Sequence, residues 1–396
     1  MRPRRALSVV GGPIQLQGAS SQSLPLRDAL HGLEHEPVDI LTHGFHAYPG
    51  RLHPILVRRL LTQFVRPGEV VLDPFMGGGT TILEAMLRGC QAVGTDINPI
   101  ALRITRARTL RWEDPQLQLF VALCQGLSDA SFLDARKKVA VTLSPAAKAQ
   151  AEWYDPHVLL ELQGLHTRIQ AVEEDGPREL ALMVFSSMLV KLSRQTSDTR
   201  LEKVQRQIGR GTASRLFLRK AEELVMRLRE VAGLLLPETP VPMLRQADAR
   251  QLPGKDETVD LILTSPPYAG TFDYHTHQAR RLTWLEESDD FAERHEIGAR
   301  RHQDTLREQW AADERQVLRE LHRVLRPGGR LLMMAGDGLL EDEPWWVDRE
   351  TCRAAEEVGF KVLALASQER AHVNPYVARR FGGRPRREHL ISLRKR

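Results

Sequence analysis

Three short stretches hold residue types that could act together on a ligand. The first, Leu261–Tyr274, reads LILTSPPYAGTFDY. Residues suited to a buried strand run into Ser265, Pro266, Pro267 and Tyr268. Two consecutive prolines end a strand, because they lack a backbone N–H and fix φ. A tyrosine directly after that stop suits either a stiff connecting loop or a clamp for a flat ring. The second stretch, DPFMGGGTT, sets Asp73 at the end of a short apolar strand, followed by Gly77, Gly78 and Gly79 and a helix opening near Thr80. Glycines let a backbone approach a ligand closely, and a helix N-terminus offers free N–H groups. Neither the Gly-Lys-Ser/Thr of a phosphate loop nor a Gly-x-Gly-x-x-Gly fingerprint is present. The third, GTDINP, ends a second strand in Asp96. An acid there takes the hydroxyls of an adenosine ribose in open α/β sheets, and read alone it is a helix cap. Together, Asp73, the glycine loop and Asp96 fit a nucleoside cofactor. Asp248, ahead of the Ser265 strand, is placed either to meet an adenine amino group or as a solvent-facing loop acid.

These residues need a frame. The run PGEVVLDPFMGGGTTILEAMLRGCQAVGTD reads as turn, strand (Val70–Leu72), glycine loop, helix and strand. Such β-α-β units build parallel sheets with right-handed crossovers. Upstream, PILVRRLLTQFVR (54–66) has helical spacing, with Pro54 in the first turn. Residues 1–40 show weak periodicity and predict a loosely structured lead-in. From about 102 to 240 the chain is rich in Leu, Ala, Glu, Arg and Gln at helical spacing, without a strong strand run. This predicts a helical insert. The α/β pattern resumes after about 241. VDLILTS is a strand, QWAADERQVLRELHRVLRPGG a helix with a Pro-Gly-Gly stop, and RLLMMAGD the next strand. After a further helix, KVLALASQER and EHLISLRK are expected to pair as an antiparallel hairpin around a long basic loop.

A chain of 396 residues forms one large domain or two ordinary ones, and 42% apolar with 27% charged residues is a soluble globular composition. No apolar run approaches the ~20 residues of a membrane span. The basic start MRPRRALSVVGG lacks an apolar signal core. Three widely spaced cysteines form neither a disulfide framework nor a metal-ligand spacing, so a reducing cytoplasm is the expected location. The net charge of +5 fits a nucleic-acid partner. Its last 18 residues hold eight Arg or Lys and one Glu, readable as a solvated tail or as a contact surface.

VLDPFMGGGTT, GTDINPIA and TSPPY, in that order on one α/β frame, resemble the amino-methylating DNA methyltransferases that use S-adenosylmethionine, the N4-cytosine and N6-adenine type. Phe45–Pro54, FHAYPGRLHP, resembles the HxYPAKFxP stretch of one branch of that family, with Gly50-Arg51-Leu52 in place of Ala-Lys-Phe. The likeness covers roughly 43–101 and 243–340. It implies an α/β, class I S-adenosylmethionine methyltransferase fold: a Rossmann-like, mostly parallel seven-strand sheet. The catalytic domain is expected over 41–101 and 241–396. The helical insert 102–240 is expected to be the target-recognition region. The implied cofactor residues are Tyr48, Pro49, Asp73, Pro74, Phe75, Gly77, Gly79, Thr80, Asp96, Ile97, Asp248 and Ala249, with no metal. Ser265 and the Pro266 carbonyl would accept the amino hydrogens of the target base, Pro267 would stiffen the loop, and Tyr268 would stack on the ring. Amino methylation needs no cysteine nucleophile, and Cys90 is read as a core residue. A duplex substrate implies base flipping.

A serine in the first motif position favours cytosine N4 over adenine N6 within that family. Alternatives are an RNA base amino-methyltransferase and a DNA-binding protein that has lost catalysis. Candidate DNA contacts are Arg194 and Arg210 in the insert's polar segments, Arg280 and Arg281 after the motif, Arg300 in EIGARRH, and Arg384 in the basic tail. The bland alternative at each is a solvated or loop position. The resemblance implies DNA as partner, a companion restriction nuclease, no membrane, and a cytoplasmic, nucleoid-associated location.

Overall fold

The computed structural model describes residues 12–137, 139–268, 274–288, 290–298, 306–370 and 375–396. The strands among them are β1 (Ile14–Gly18), β2 (Val70–Asp73), β3 (Gln91–Asp96), β4 (Gln195–Ser197), β5 (Arg200–Lys203), β6 (Met243–Gln246), β7 (Val259–Thr264), β8 (Leu325–Gly336), β9 (Gly338–Leu340), β10 (Glu343–Trp345), β11 (Phe360–Arg370) and β12 (Arg386–Lys395). Eight form one sheet in the order β1-β11-β12-β8-β7-β2-β3-β6. The pairs from β6 through β3, β2 and β7 to β8 are parallel. Those joining β8, β12, β11 and β1 are antiparallel.

Without β1, the sheet has the seven strands of the expected Rossmann-like class I methyltransferase type, with the last two as an antiparallel edge. The eighth strand corrects the loose lead-in expected over 1–40. Ile14–Gly18 pairs along β11, and the helix Ser20–Leu30 buries Leu26, Ala29 and Leu30 beside it. Buried apolar strands such as VVLD and VDLILT belong in the middle of a sheet covered on both faces. One face packs on the helices Pro54–Phe64 and Thr80–Leu87, the other on Leu306–Val324 and Val347–Glu357.

The region 102–240 is mainly helical: Asp114–Lys137, Pro145–Ala149, Pro156–Gln170, Asp175–Leu192 and Thr212–Ala232. Pro145 and Pro156 stand in first turns, where the missing N–H costs nothing. The antiparallel β4–β5 hairpin is an addition to the expected all-helical insert. The insert's core also takes in Phe45, Tyr48 and Ile100 from the sheet region, and Trp284 from the helix Tyr274–Leu285 that follows the Ser265 loop.

Chain order along the sheet reverses between β2 and β7. Open α/β sheets bind ligands in the crevice outside the carboxyl ends of the strands at that point. Asp73 and Thr264 end these two strands, and Thr264 Oγ1 donates to Asp73 Oδ1 at 2.7 Å.

Candidate active site

A cavity opens over the ends of β2, β3, β6 and β7. Of the twelve residues expected to hold a cofactor, eleven line it: Tyr48, Pro49, Asp73, Pro74, Phe75, Gly77, Thr80, Asp96, Ile97, Asp248 and Ala249. Gly79 does not. It turns the chain into the helix Thr80–Leu87 at φ +77°, and a Cβ there would lie 2.5 Å from the Thr105 side chain. Gly78 lines the cavity in its place. Gly77 has φ +47°, and a Cβ on it would come within 2.9 Å of the Tyr48 ring. The loop is therefore glycine because Tyr48 lies on it.

The loop is held from below by residues the sequence did not single out. Arg108 is fully buried, and its guanidinium donates to the carbonyls of Gly78, His46 and His43. Burial pulls its pKa down to about 9, so the charge is costly and depends on those carbonyls. Thr105 Oγ1 donates to the Gly77 carbonyl at 3.2 Å. Arg108 thus ties Phe45–Pro54 to the glycine loop, and His46 Nε2 meets Ser186 Oγ at 3.0 Å on an insert helix. Arg51 lines the cavity, with its guanidinium on Asp39 (2.8 Å) and the His43 carbonyl.

Asp96 accepts from Gly77 N and from Asn98 N, each at 2.9 Å. It therefore closes the loop and faces the cavity at once. Burial raises the pKa values of Asp73 and Asp96 to about 6. Asp248 is gripped by Arg250, which also reaches Asp313 at 2.7 Å. Thr80 Oγ1, at the start of its helix, is buried without a hydrogen-bond partner and lines the cavity. Acids at strand ends, a glycine cradle filled by Tyr48 and an unsatisfied hydroxyl at a helix N-terminus fit a polar nucleoside cofactor.

The Ser265–Tyr268 loop stands between this cavity and a second. Ser265 and Pro267 face the first, while Pro266, Pro267 and Tyr268 line the second, with Phe75, Pro267 and Ile297 common to both. Trp310, Trp345 and Glu314 also line the second cavity, and burial raises the Glu314 carboxyl to about 7. The Tyr268 hydroxyl donates to Glu388, a carboxylate 3% exposed on β12. Its ring lies against the Gly336 backbone, with the Arg370 guanidinium 5.8 Å from its centroid. Burial and the Glu388 charge raise the tyrosine's pKa, so it keeps its proton.

The arginines expected to touch DNA divide. Arg280 and Arg281 are corrected to structural roles. Arg280 is 7% exposed, bonded to Gln195 and Gln150, and stacked 4.1 Å over Trp153. Arg281 is 1% exposed and paired with Asp198 at the tip of the β4–β5 hairpin. Together they dock that hairpin onto the helix following the Ser265 loop. Arg194 is half-exposed and paired with Asp155 at 2.7 Å, Arg210 is exposed, and Arg384 is exposed in the turn before β12. Arg300 lies outside the described residues. All three cysteines are buried and free. Among the described residues no helix is long and apolar enough to cross a membrane.

Comparison with known proteins adds to this geometry. The family model for DNA methylase, of the N6/N4 type, matches residues 30–107. The chain is 27% identical over 265 residues to the Type II methyltransferase M.MvaI of Kocuria varians, covering 62% of this chain and 58% of that protein. It is 22% identical over 267 residues to the Type II methyltransferase M.BsoBI of Geobacillus stearothermophilus, covering 61% and 52%. The chain thus spans little more than half the length of these curated relatives. A solved SAM-dependent methyltransferase from Methanosarcina mazei aligns over 85% of this chain and 96% of its own, at 10% identity and a TM-score of 0.33.

Proposed function

We propose, for a chain that belongs to the amino-methylating DNA methylase family, that it transfers a methyl group from S-adenosylmethionine to an exocyclic amino nitrogen of a DNA base. The observation that carries this reading is the placement of Ser265 and Pro267 on the cofactor cavity, with Pro266 and Tyr268 on the cavity next to it. When bound, S-adenosylmethionine would supply an electrophilic methyl group on a sulfonium; transfer forms an N–CH3 bond, breaks the S–CH3 bond to leave a neutral thioether, and releases one amino proton to water. Asp96 takes the ribose hydroxyls, Asp248 and Ala249 border the adenine, and the glycine loop with Thr80 receives the amino-acid end.

The acceptor nitrogen is a poor nucleophile while its lone pair is delocalised into the ring. Ser265 Oγ and the Pro266 carbonyl accept its two hydrogens and bend them out of the base plane, which localises the lone pair toward the methyl group. Fixed acceptors need no reorganisation during the reaction. Pro266 and Pro267 supply that rigidity, and Tyr268, pinned by Glu388, is the stacking platform. Stacking of this kind is worth roughly 1–3 kcal/mol per base. Cytosine N4 is the favoured acceptor, on the strength of the serine in the first motif position. The insert residues Arg210, which is exposed, and Arg194, which is half-exposed beside Asp155, contact the backbone of the target, and a restriction nuclease is the companion activity.

Incubation with duplex DNA and methyl-labelled S-adenosylmethionine, followed by digestion to nucleosides, tests this reading. Label is expected in N4-methylcytosine. Label in N6-methyladenine would move the acceptor to adenine. No label in either, across DNA of varied sequence, would contradict the function, and label in tRNA alone would replace DNA with RNA.

A further inference from the structure

The connection between β11 and β12 leaves the sheet at the edge that carries the Ser265 loop. β12 runs antiparallel to β8, so its first residues lie beside the last of β8, with Glu388 opposite Gly336 and His389 opposite Ala335. The described part of the connection holds the short helix Pro375–Arg380 and a turn through Phe381–Pro385. Pro375–Arg387 contains five arginines and no acid.

This arm is seated firmly. Phe381 is 2% exposed and packs edge-on against Trp346 at 5.2 Å. Arg386 donates twice to the Asp337 carbonyl, at 3.1 and 2.7 Å, and Arg387 N donates to Asp337 Oδ2 at 2.9 Å. Asp342 takes the Tyr376 hydroxyl and the Arg380 guanidinium. On that base Arg379, Arg380 and Arg384 are exposed. Arg380 is held by Asp342, and arginines presented together on one short, acid-free stretch suit an anion with several acceptor oxygens.

The arm also borders the acceptor loop. Its flanking residues Arg370 and Glu388 lie 3.9 Å apart and both face Tyr268, one over the ring and one at the hydroxyl. A polyanion gripped by the arm would therefore pass beside the ring that stacks the base. We propose that the stretch Pro375–Arg387 is a phosphodiester clamp, in which Arg379, Arg380 and Arg384 hold the nucleic-acid backbone next to the base at Tyr268. The assignment of a base to Tyr268 rests on the function proposed above, whereas the phosphodiester contact stands on the arm itself.

The test compares the full-length wild type with the double variants Arg379→Ala/Arg384→Ala and Arg379→Lys/Arg384→Lys. Fluorescence anisotropy with a labelled random-sequence duplex gives Kd between about 50 and 200 mM salt. Each phosphate contact contributes about 0.9 to the slope of log affinity against log salt. The alanine pair is expected to flatten that slope by about 2 and to weaken binding by about 10-fold or more near 100 mM salt. The lysine pair is expected to keep the wild-type slope. Calorimetry with S-adenosylmethionine and the melting temperature serve as folding controls and are expected to match wild type. Wild-type affinity and slope in the alanine pair would overturn the clamp, as would a lysine pair that loses as much slope as the alanine pair. Arginine-dependent binding by a wild type that transfers no methyl group to the same duplex would leave the clamp standing and remove the proposed reaction.

Discussion

The two sides of the switch point are built differently. On the β2–β3 side, the glycine loop is held by neighbours in the chain: Asp96 binds Gly77, Thr105 and Arg108 bind the Gly77 and Gly78 carbonyls, and Tyr48 covers the loop. On the β7–β8 side, Ser265–Tyr268 comes from one short run but is fixed by Glu388 and Arg370, far along the chain on the antiparallel edge. The first side is a local motif with local supports. The second is a local motif with remote supports. On this account the first side governs cofactor binding and the second governs acceptor chemistry, so substitutions on the two sides separate in their effects.

The sharpest way to break that comparison is Asp96→Ala. It removes the acceptor proposed for the ribose hydroxyls and the partner of Gly77 N. A charged hydrogen bond is worth about 1.5–3 kcal/mol, so S-adenosylmethionine affinity measured by calorimetry is expected to fall about 10- to 150-fold. An unchanged Kd would remove the cofactor role of this side. Arg108→Ala leaves buried carbonyls of the glycine loop and the His43–His46 segment without a donor. It is expected to cost about 3 kcal/mol in denaturant unfolding, and a loss under about 0.5 kcal/mol would show the staple to be dispensable.

On the other side, Tyr268→Phe keeps the ring and removes its anchor to Glu388. Turnover is expected to fall about 10-fold, the effect of roughly one net hydrogen bond, with cofactor affinity unchanged. Equal losses in both quantities would mean that the two sides are one unit.

The smallest effect is that of pH, and it runs in two directions. Burial raises Asp73 and Asp96 to about 6 in the folded chain, above their unfolded values. The folded state therefore binds protons first, and these groups add stability as pH falls from about 6 toward about 4. Cofactor binding has the opposite sign, because the ribose hydroxyls need the ionised Asp96. Calorimetry should show affinity weakening several-fold between about pH 7 and pH 5, and a flat profile would contradict ionised Asp96 as the acceptor.

The same contrast explains what was legible in the sequence. Asp73, the glycine loop, Asp96 and Ser265–Tyr268 are contiguous, and eleven of twelve expected cofactor residues line one cavity. Gly79 lies off the cavity lining at the turn into its helix, because spacing alone does not tell a glycine that faces a cavity from one that turns the chain. Arg108 and Glu388 carry no local signal, since each looks like an ordinary charge on a helix or strand until the fold supplies its partners. Arg280 and Arg281 read as an exposed pair for the same reason, and the β4–β5 hairpin docked over them buries both. β1 was missed because Ile14 and Leu16 are the only apolar positions of a five-residue strand.

The most direct test is a single-turnover measurement of methyl transfer to duplex DNA by wild type and Ser265→Ala, each saturated with S-adenosylmethionine, with cofactor Kd measured in parallel. Loss of one fixed acceptor is expected to slow the chemical step about 100-fold and to leave the cofactor Kd within a factor of about two. A variant that transfers at the wild-type rate, or one whose cofactor affinity falls as far as its rate, would contradict the assignment of Ser265 to the acceptor side.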